Sequence, residues 1–74
     1  MSRPVKRSLT LRGHRTSVSL EEEFWRAFLH IAKVEGQTIN GLAAKIDEGR
    51  GTETGLATAI RLYVLKFFQD RVRE

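Results

Sequence analysis

The sequence predicts a mainly α-helical domain with a short β-ribbon near its N-terminal end, for three reasons. Apolar residues alternate with polar ones between Ser8 and Leu20, which is the period of a β-strand. Three later segments repeat apolar residues at the three- and four-residue spacing of an amphipathic helix. Glycines at position 36 and at positions 49 and 51 separate these segments. A chain of 74 residues has room for one small domain with this order of elements.

The alternating segment is interrupted at Gly13, a residue that permits a turn or a bulge. Residues 8–11 and 15–20 therefore form either the two strands of a hairpin or one bent strand, and the pattern does not decide between them. Residues 1–14 are accordingly either a basic N-terminal arm or an extra strand. Residues 15–74 make up the rest of the domain.

The two faces of segment 15–20 differ in chemistry. Alternate residues point to opposite faces, with Thr16, Val18 and Leu20 on one and Arg15, Ser17 and Ser19 on the other. Because an isolated strand leaves its backbone groups without partners, we expect this segment to pair with the same segment of a second chain. The resulting two-stranded antiparallel ribbon fits the major groove of B-DNA and exposes arginine and hydroxyl side chains.

Each helix has a predicted start. Ser19 is the expected N-cap of the first helix, with Glu22 at the spacing of a capping box, and Gly36 ends this helix. Thr38 is the expected N-cap of the second helix, and Thr52 that of the third.

The third helix is apolar around most of its circumference between Ile60 and Phe68. A helix of that kind is buried on several sides, which a chain this short does not easily achieve alone. The sequence also has no cysteine for a disulfide, so oligomerisation is the remaining common support. We therefore expect a homodimer in which the third helix is part of the interface.

The charge of the chain is concentrated near its N-terminal end. The net charge is +4, from 13 Lys and Arg against 9 Asp and Glu. Residues 1–20 contain five bases and no acid, whereas residues 21–74 contain eight bases and nine acids. A one-sided basic segment on a nearly neutral body indicates a polyanionic partner such as nucleic acid.

Several classes of protein are not expected from this sequence. No apolar run approaches the roughly 18 residues of a membrane span, and a secretory signal is not expected. The two histidines make a poor metal site, and no nucleophile–base pair or phosphate-binding glycine loop stands out. We expect a cytoplasmic protein that is not an enzyme, contacts no membrane, and takes no metal or cofactor.

These segments together resemble the ribbon-helix-helix family of DNA-binding proteins, the Arc/MetJ type. The resemblance rests on residues 15–20, on residues 22–36, and on Gln37-Thr38-Ile39-Asn40 followed by Leu42, Ala43 and Ile46. It is greatest to a stand-alone bacterial subgroup with a basic lead-in and a further helix after the core. The family implies an intertwined homodimer whose paired strands enter the major groove.

The resemblance also implies site residues. The base-reading positions of the family match Arg15, Ser17 and Ser19, and its phosphate clamp matches Thr38, Ile39 and Asn40 at the start of the second helix. A helix N-terminus suits phosphate on physical grounds as well, because its first N–H groups are free. Additional phosphate contacts are expected from the basic lead-in, at Arg7, Arg12 and His14.

The predicted dimer interface combines the apolar face of the strand with the second and third helices. Its expected residues are Thr16, Val18, Leu20, Ile39, Leu42, Ile46, Leu62 and Leu65.

The function expected from the sequence is sequence-specific binding of double-stranded DNA by a homodimer that acts as a transcriptional regulator, most often a repressor in this family. The alternative is an antitoxin-like or scaffold dimer that binds a protein partner through its apolar third helix. Sequence-independent binding of nucleic acid by the basic arm is a third possibility.

Overall fold

The computed structural model describes residues 2–72. Met1, in the predicted segment 1–14, and residues 73–74, in the predicted segment 15–74, lie outside the described residues. The elements in chain order are β1 (Val5–Leu11), β2 (His14–Leu20), α1 (Glu22–Val34), α2 (Ile39–Gly49) and α3 (Leu56–Val72). This order confirms a mainly helical fold with a short β-ribbon and an additional third helix.

The two strands form an antiparallel hairpin, one of the two alternatives that the sequence leaves open. Ser8 lies opposite Ser17, and the strands are joined by the two-residue turn Arg12-Gly13. The φ angles of Arg12 and Gly13 are 52° and 83°. Two positive φ angles are what the type I′ hairpin turn requires, because its twist matches that of the strands. Glycine adopts such a conformation freely, whereas it costs an L-residue such as Arg12 about 1–2 kcal/mol.

Within one chain the partner of segment 15–20 is β1, and the pairing of this segment with the same segment of a second chain stays a prediction. That prediction rested on the need of an isolated strand for hydrogen-bond partners. β1 meets this need along one edge of β2 over its whole length, from Val5 opposite Leu20 to Leu11 opposite His14.

The hydrophobic core lies between the inner face of the hairpin and the three helices. Its buried residues are Leu9, Val18, Leu20, Phe28, Ile31, Ala32, Leu42, Ala43, Ile46, Ile60 and Val64. Four of these, Val18, Leu20, Leu42 and Ile46, are residues that the sequence assigns to a dimer interface. The structure places them in the core of a single chain, where β2 packs against α3 and α2 packs against β1 and α3.

Two of the predicted helix boundaries, at Gly36 and Thr38, are confirmed, and two, at Ser19 and Thr52, are wrong. Gly36, with φ of 68°, follows the end of α1. Thr38 is the N-cap of α2, and its side chain accepts a hydrogen bond from the backbone N–H of Gly41. Ser19 does not cap α1, because it lies in β2 opposite Lys6, and α1 begins only at Glu22 with Glu21 in the N-cap position.

The third helix begins at Leu56, four residues after the predicted cap Thr52. Arg50 accounts for the difference. Its guanidinium donates hydrogen bonds to the backbone oxygens of Gly51 and Thr54, at 3.3 and 2.7 Å, and pairs with Asp47 at 2.7 Å. These contacts hold the connection after α2 in a turn.

One side of α3 packs on the rest of the chain, through the buried Ile60 and Val64. The other side exposes Leu62, Leu65, Phe68 and Val72. The prediction that this helix is buried on several sides is thus not met within one chain. None of the helices in the part of the chain described by the structure is long and apolar enough to cross a membrane.

Candidate nucleic-acid interface

The outer face of the hairpin is entirely polar. The register places three side chains of β1 beside three of β2: Lys6 by Ser19, Ser8 by Ser17, and Thr10 by Arg15. All six residues are exposed. We call this set the outer face. It carries two positive charges and four hydroxyl groups and has no acidic member, and neither cation forms an ion pair with another of the residues 2–72.

Three of these six residues, Arg15, Ser17 and Ser19, are the base-reading residues that the sequence predicts, and the structure brings them together on one surface. The other three, Lys6, Ser8 and Thr10, are absent from the predicted site. A signal for them exists in the sequence, because Leu9 and Leu11 alternate with polar residues as Val18 and Leu20 do.

Arg7 lies on the opposite, covered face of the hairpin, away from the six outer residues. Its Nη2 donates to Oε1 of Glu22 at 2.6 Å, and its guanidinium lies 5.2 Å from the centre of the Trp25 ring. Hydrogen bonds from Arg7 and Arg26 hold the pKa of Glu22 below its ordinary value. The structure therefore gives Arg7 a role in fastening β1 to α1.

The other two predicted phosphate ligands of the N-terminal segment lie at the tip of the hairpin. Arg12 is in the turn and forms an ion pair with Glu48 of α2. His14 is the first residue of β2 and is exposed. Both are accessible, although the charge of Arg12 is shared with Glu48.

The start of α2 has the features of a phosphate-binding helix terminus. The hydroxyl of Thr38 accepts from the backbone N–H of Gly41 at 2.9 Å, and a Cβ on Gly41 would lie only 2.9 Å from the same oxygen. Glycine at this position therefore permits the cap. The backbone N–H groups of Ile39 and Asn40 have no acceptor within the helix, so they are suited to an anion.

A hydrogen bond ties this helix terminus to the hairpin. The backbone N–H of Thr10 donates to Oδ1 of Asn40 at 3.0 Å. The start of α2 thus lies beside the outer edge of β1, next to the outer face. The structure brings the predicted clamp residues Thr38 and Asn40, both exposed, close to the predicted base-reading strand, whereas Ile39 is half-buried.

We predict that Asn40→Asp separates the structural role of this side chain from its role in DNA binding. Aspartate keeps an oxygen for the N–H of Thr10, and a negative charge suits the first turn of a helix, so the free energy of unfolding should change by about 1 kcal/mol or less. The same charge repels phosphate, so affinity for DNA should fall. Urea unfolding and fluorescence anisotropy measure the two effects.

Asn40→Ala is the matched control, because it removes the acceptor without adding charge. It should lower both stability and DNA affinity. Equal DNA binding by Asn40→Asp and the wild type would exclude a phosphate at this helix terminus.

A second fastening holds α3 against the end of β2. Arg61 of α3 forms a two-pronged ion pair with Glu21, at 3.0 and 3.2 Å, and donates to the backbone oxygen of Ser19 at 3.2 Å. Its guanidinium also lies 5.9 Å from the centre of the Phe24 ring. The hydrogen bond from Arg61 lowers the pKa of Glu21. Sequence reasoning did not find this contact, since residues 40 positions apart leave no local pattern.

Leu62, a predicted interface residue, lines a groove of about 560 Å³ between α2 and α3, together with Ile46 and Tyr63. Thr16, another predicted interface residue, is exposed although it faces the inner side of the hairpin. Among residues 2–72 no group of three or more His, Asp and Glu side chains is placed to hold a metal ion.

The comparison with known proteins covers the hairpin, the first two helices and most of the third. A family model described as the ribbon-helix-helix domain matches residues 4–68. Neither the curated proteins nor the solved structures include a significant match to the chain. The matched region covers β1 through most of α3, so it includes the whole outer face and the start of α2. The chain therefore belongs to the ribbon-helix-helix family, whose domains generally dimerise and bind DNA as transcription regulators.

Proposed function

We propose that this protein is a sequence-specific DNA-binding protein and acts as a transcriptional repressor in the bacterial cytoplasm, as a homodimer without enzymatic activity, metal or cofactor. The observation that carries the proposal is the outer face: six exposed side chains, two of them cationic and none acidic, on a two-stranded ribbon. Adjacent strands lie about 4.8 Å apart, so a ribbon of two strands fits a major groove about 12 Å wide.

Each residue of the outer face has a role in this proposal. Arg15 donates two hydrogen bonds to a guanine edge, the commonest specific contact in DNA recognition. Ser17 and Ser19 contact neighbouring bases through their hydroxyls, which accept and donate and therefore tolerate several bases. Lys6 lies at the far end of the neighbouring strand and neutralises phosphate.

The phosphate contacts come from two further places. The N–H groups at the start of α2 bind one phosphate, with Thr38 and Asn40 beside it, and Arg12 and His14 at the hairpin tip contact another. The proposal leaves out Arg7, since its guanidinium is engaged by Glu22 and Trp25. One ribbon reads few base pairs, so specificity also draws on DNA shape or on several dimers on one site.

We predict a steep dependence of DNA affinity on salt. If the dimer neutralises about six phosphates, the logarithm of the association constant should fall with the logarithm of salt concentration at a slope of about −5. Anisotropy titrations of a labelled duplex over a range of salt concentrations give this slope. A flat response would exclude nucleic acid as the partner.

A second candidate function is binding of a protein partner through α3. It is supported by the apolar side chains that this helix exposes, Leu62, Leu65, Phe68 and Val72. Contiguous exposed apolar side chains mark interaction surfaces.

Nuclear magnetic resonance distinguishes the two functions residue by residue. On addition of duplex DNA, we expect the amide resonances of Lys6, Ser8, Arg15 and Ser17, and of the first turn of α2, to shift. The resonances of α3 beyond Ile60 should change little. Shifts confined to α3 would contradict the proposed DNA-binding surface. The absence of any shift on addition of DNA would contradict DNA binding itself and favour the protein-interaction function.

A further inference from the structure

The groove between α2 and α3 lies outside the surface that is proposed to contact DNA. Each of its two walls is one stripe of a helix. On α2, Leu42 is followed by Lys45 and Ile46 at three and four residues, and on α3, Leu62 and Lys66 are four residues apart. Residues at this spacing share one face of a helix. The groove therefore combines apolar and basic side chains on both of its walls.

The apolar part of the groove has the size of a small-molecule site. Leu42 and Ile46 are buried and form its floor, whereas Leu62 is 56% exposed and stands at its rim. Gly51 and Thr54, in the connection between the two helices, close one end. The volume of about 560 Å³ lies within the range of roughly 300–1,000 Å³ that is typical of ligand pockets.

The charged side chains that line this groove are all cationic. Lys45 and Lys66 are exposed, one on each wall, and the third cation, Arg50, is paired with Asp47 at 2.7 Å. Lys45 forms no ion pair with another of the residues 2–72. The ion pair of Lys66 with Asp70, at 3.7 Å, lies at the surface and is therefore weak. None of the described residues that line the groove is acidic, so two ammonium groups are available to an anion.

We propose that this groove binds a small apolar carboxylic acid in its ionised form. The apolar body of the ligand packs against Leu42, Ile46 and Leu62, and its carboxylate accepts hydrogen bonds from Lys45 and Lys66. A carboxylate suits these groups, because an ammonium ion donates hydrogen bonds and accepts none.

The groove is less suited to the other possible occupants. Leu62 is one of the residues that the sequence assigns to a dimer interface. A twofold interface places the same patch on both sides, so it would bring Lys45 and Lys66 against their own copies without an acidic residue of the groove to offset them. The closed end favours a short molecule over a long peptide.

Three test compounds separate the apolar and the ionic part of this recognition. Octanoate has both parts, octanamide has the chain without the charge, and acetate has the carboxylate without the chain. In nuclear magnetic resonance titrations of the full-length protein without DNA, octanoate should give saturable shifts of the amide resonances of Lys45, Gly49, Leu62 and Lys66. Octanamide should bind about tenfold more weakly, because it makes no charge-assisted hydrogen bond, and acetate should not reach saturation.

Matched variants assign the two parts to residues. Lys45→Gln and Lys66→Gln should each weaken octanoate binding by about tenfold and leave octanamide binding unchanged. Leu62→Gln should weaken the binding of both compounds. Lys33→Gln and Leu29→Gln on α1 are the controls and should bind both compounds as the wild type does, because neither residue lines the groove. All five sites are exposed, so the fold should be retained, which circular dichroism verifies.

Four results would overturn the inference. The first is a wild-type protein that does not bind octanoate saturably, as expected if a second copy of the chain covers the groove. The second is equal affinity for octanoate and octanamide, and the third is wild-type affinity in both lysine variants. The fourth is a set of shifts centred on the exposed Phe68 and Val72, which would indicate non-specific adsorption. Because no DNA is present, these results bear on the groove and leave the DNA-binding proposal to the duplex titrations.

Discussion

Replacing Arg15 by alanine should weaken DNA binding by about ten- to a hundredfold. Arg15 is exposed near the start of β2, on the outer face, and forms no ion pair with the other described residues. Its guanidinium is therefore free to pair with a guanine, an interaction worth about 1–3 kcal/mol of discrimination. The free energy of unfolding should change by no more than about 0.5 kcal/mol, because the side chain supports no packing.

Arg26→Ala is the control for the loss of one positive charge. Arg26 is an exposed arginine on α1, away from the outer face. Its ion pair with Glu22, one helical turn earlier, lies at the surface and therefore contributes little to stability. Gel shift or anisotropy with a bound duplex should show little change for this variant. Equal losses in the two variants would mean that charge alone drives binding, and unchanged binding by Arg15→Ala would exclude readout by β2.

Replacing Phe28 by alanine should destabilise the domain more than a change at any exposed site. Phe28 is fully buried at the centre of the core, between the hairpin and the other helices. Removal of a buried phenylalanine side chain costs about 3–5 kcal/mol in lost burial and cavity formation. A domain of this size has a total stability near the lower end of the usual range of about 5–15 kcal/mol, so a large share of the molecules should unfold.

Urea unfolding followed by circular dichroism measures this loss, with Leu29→Ala as the control on the same helix. Leu29 is 42% exposed, and its truncation should cost about 1 kcal/mol or less. Similar midpoints for the two variants would contradict the assignment of Phe28 to the centre of the core.

The elements of the fold are predictable from the sequence where the apolar residues repeat with a single spacing, either that of a strand or that of a helix. The alternation of Val18 and Leu20 with serines indicates both the strand and its two faces, and α1 and α2 show clear helical spacing. The sequence does not decide between a hairpin and one bent strand, because glycine at position 13 is compatible with a bulge as well as a turn. The type I′ turn depends on Arg12 adopting a positive φ, which its residue type disfavours.

Part of the candidate site follows from local sequence and part does not. The alternation places Arg7 on the same face as Leu9, so its position away from the outer face was available from the sequence. The contacts of Asn40 with Thr10 and of Arg61 with Glu21 join residues 30 and 40 positions apart, and periodicity carries no information at such separations.

The predicted interface shows a further reason for disagreement. A pattern of apolar residues indicates that one face of an element is buried. It does not indicate whether that face is covered by the same chain or by a second one. Leu42 and Ile46 are covered by the elements of their own chain, whereas Leu65 on α3 remains exposed. Both kinds of position look alike in the sequence, because the core and an interface bury the same residue types.

The central claim is that the outer face of the hairpin recognises double-stranded DNA of a particular sequence. In-vitro selection of bound duplexes from a random library, with the purified full-length protein, tests it most directly. We expect a consensus with twofold symmetry that contains guanine in each half-site, and we expect Arg15→Ala to lose the preference for that guanine. A library in which the wild-type protein enriches no sequence would contradict the claim.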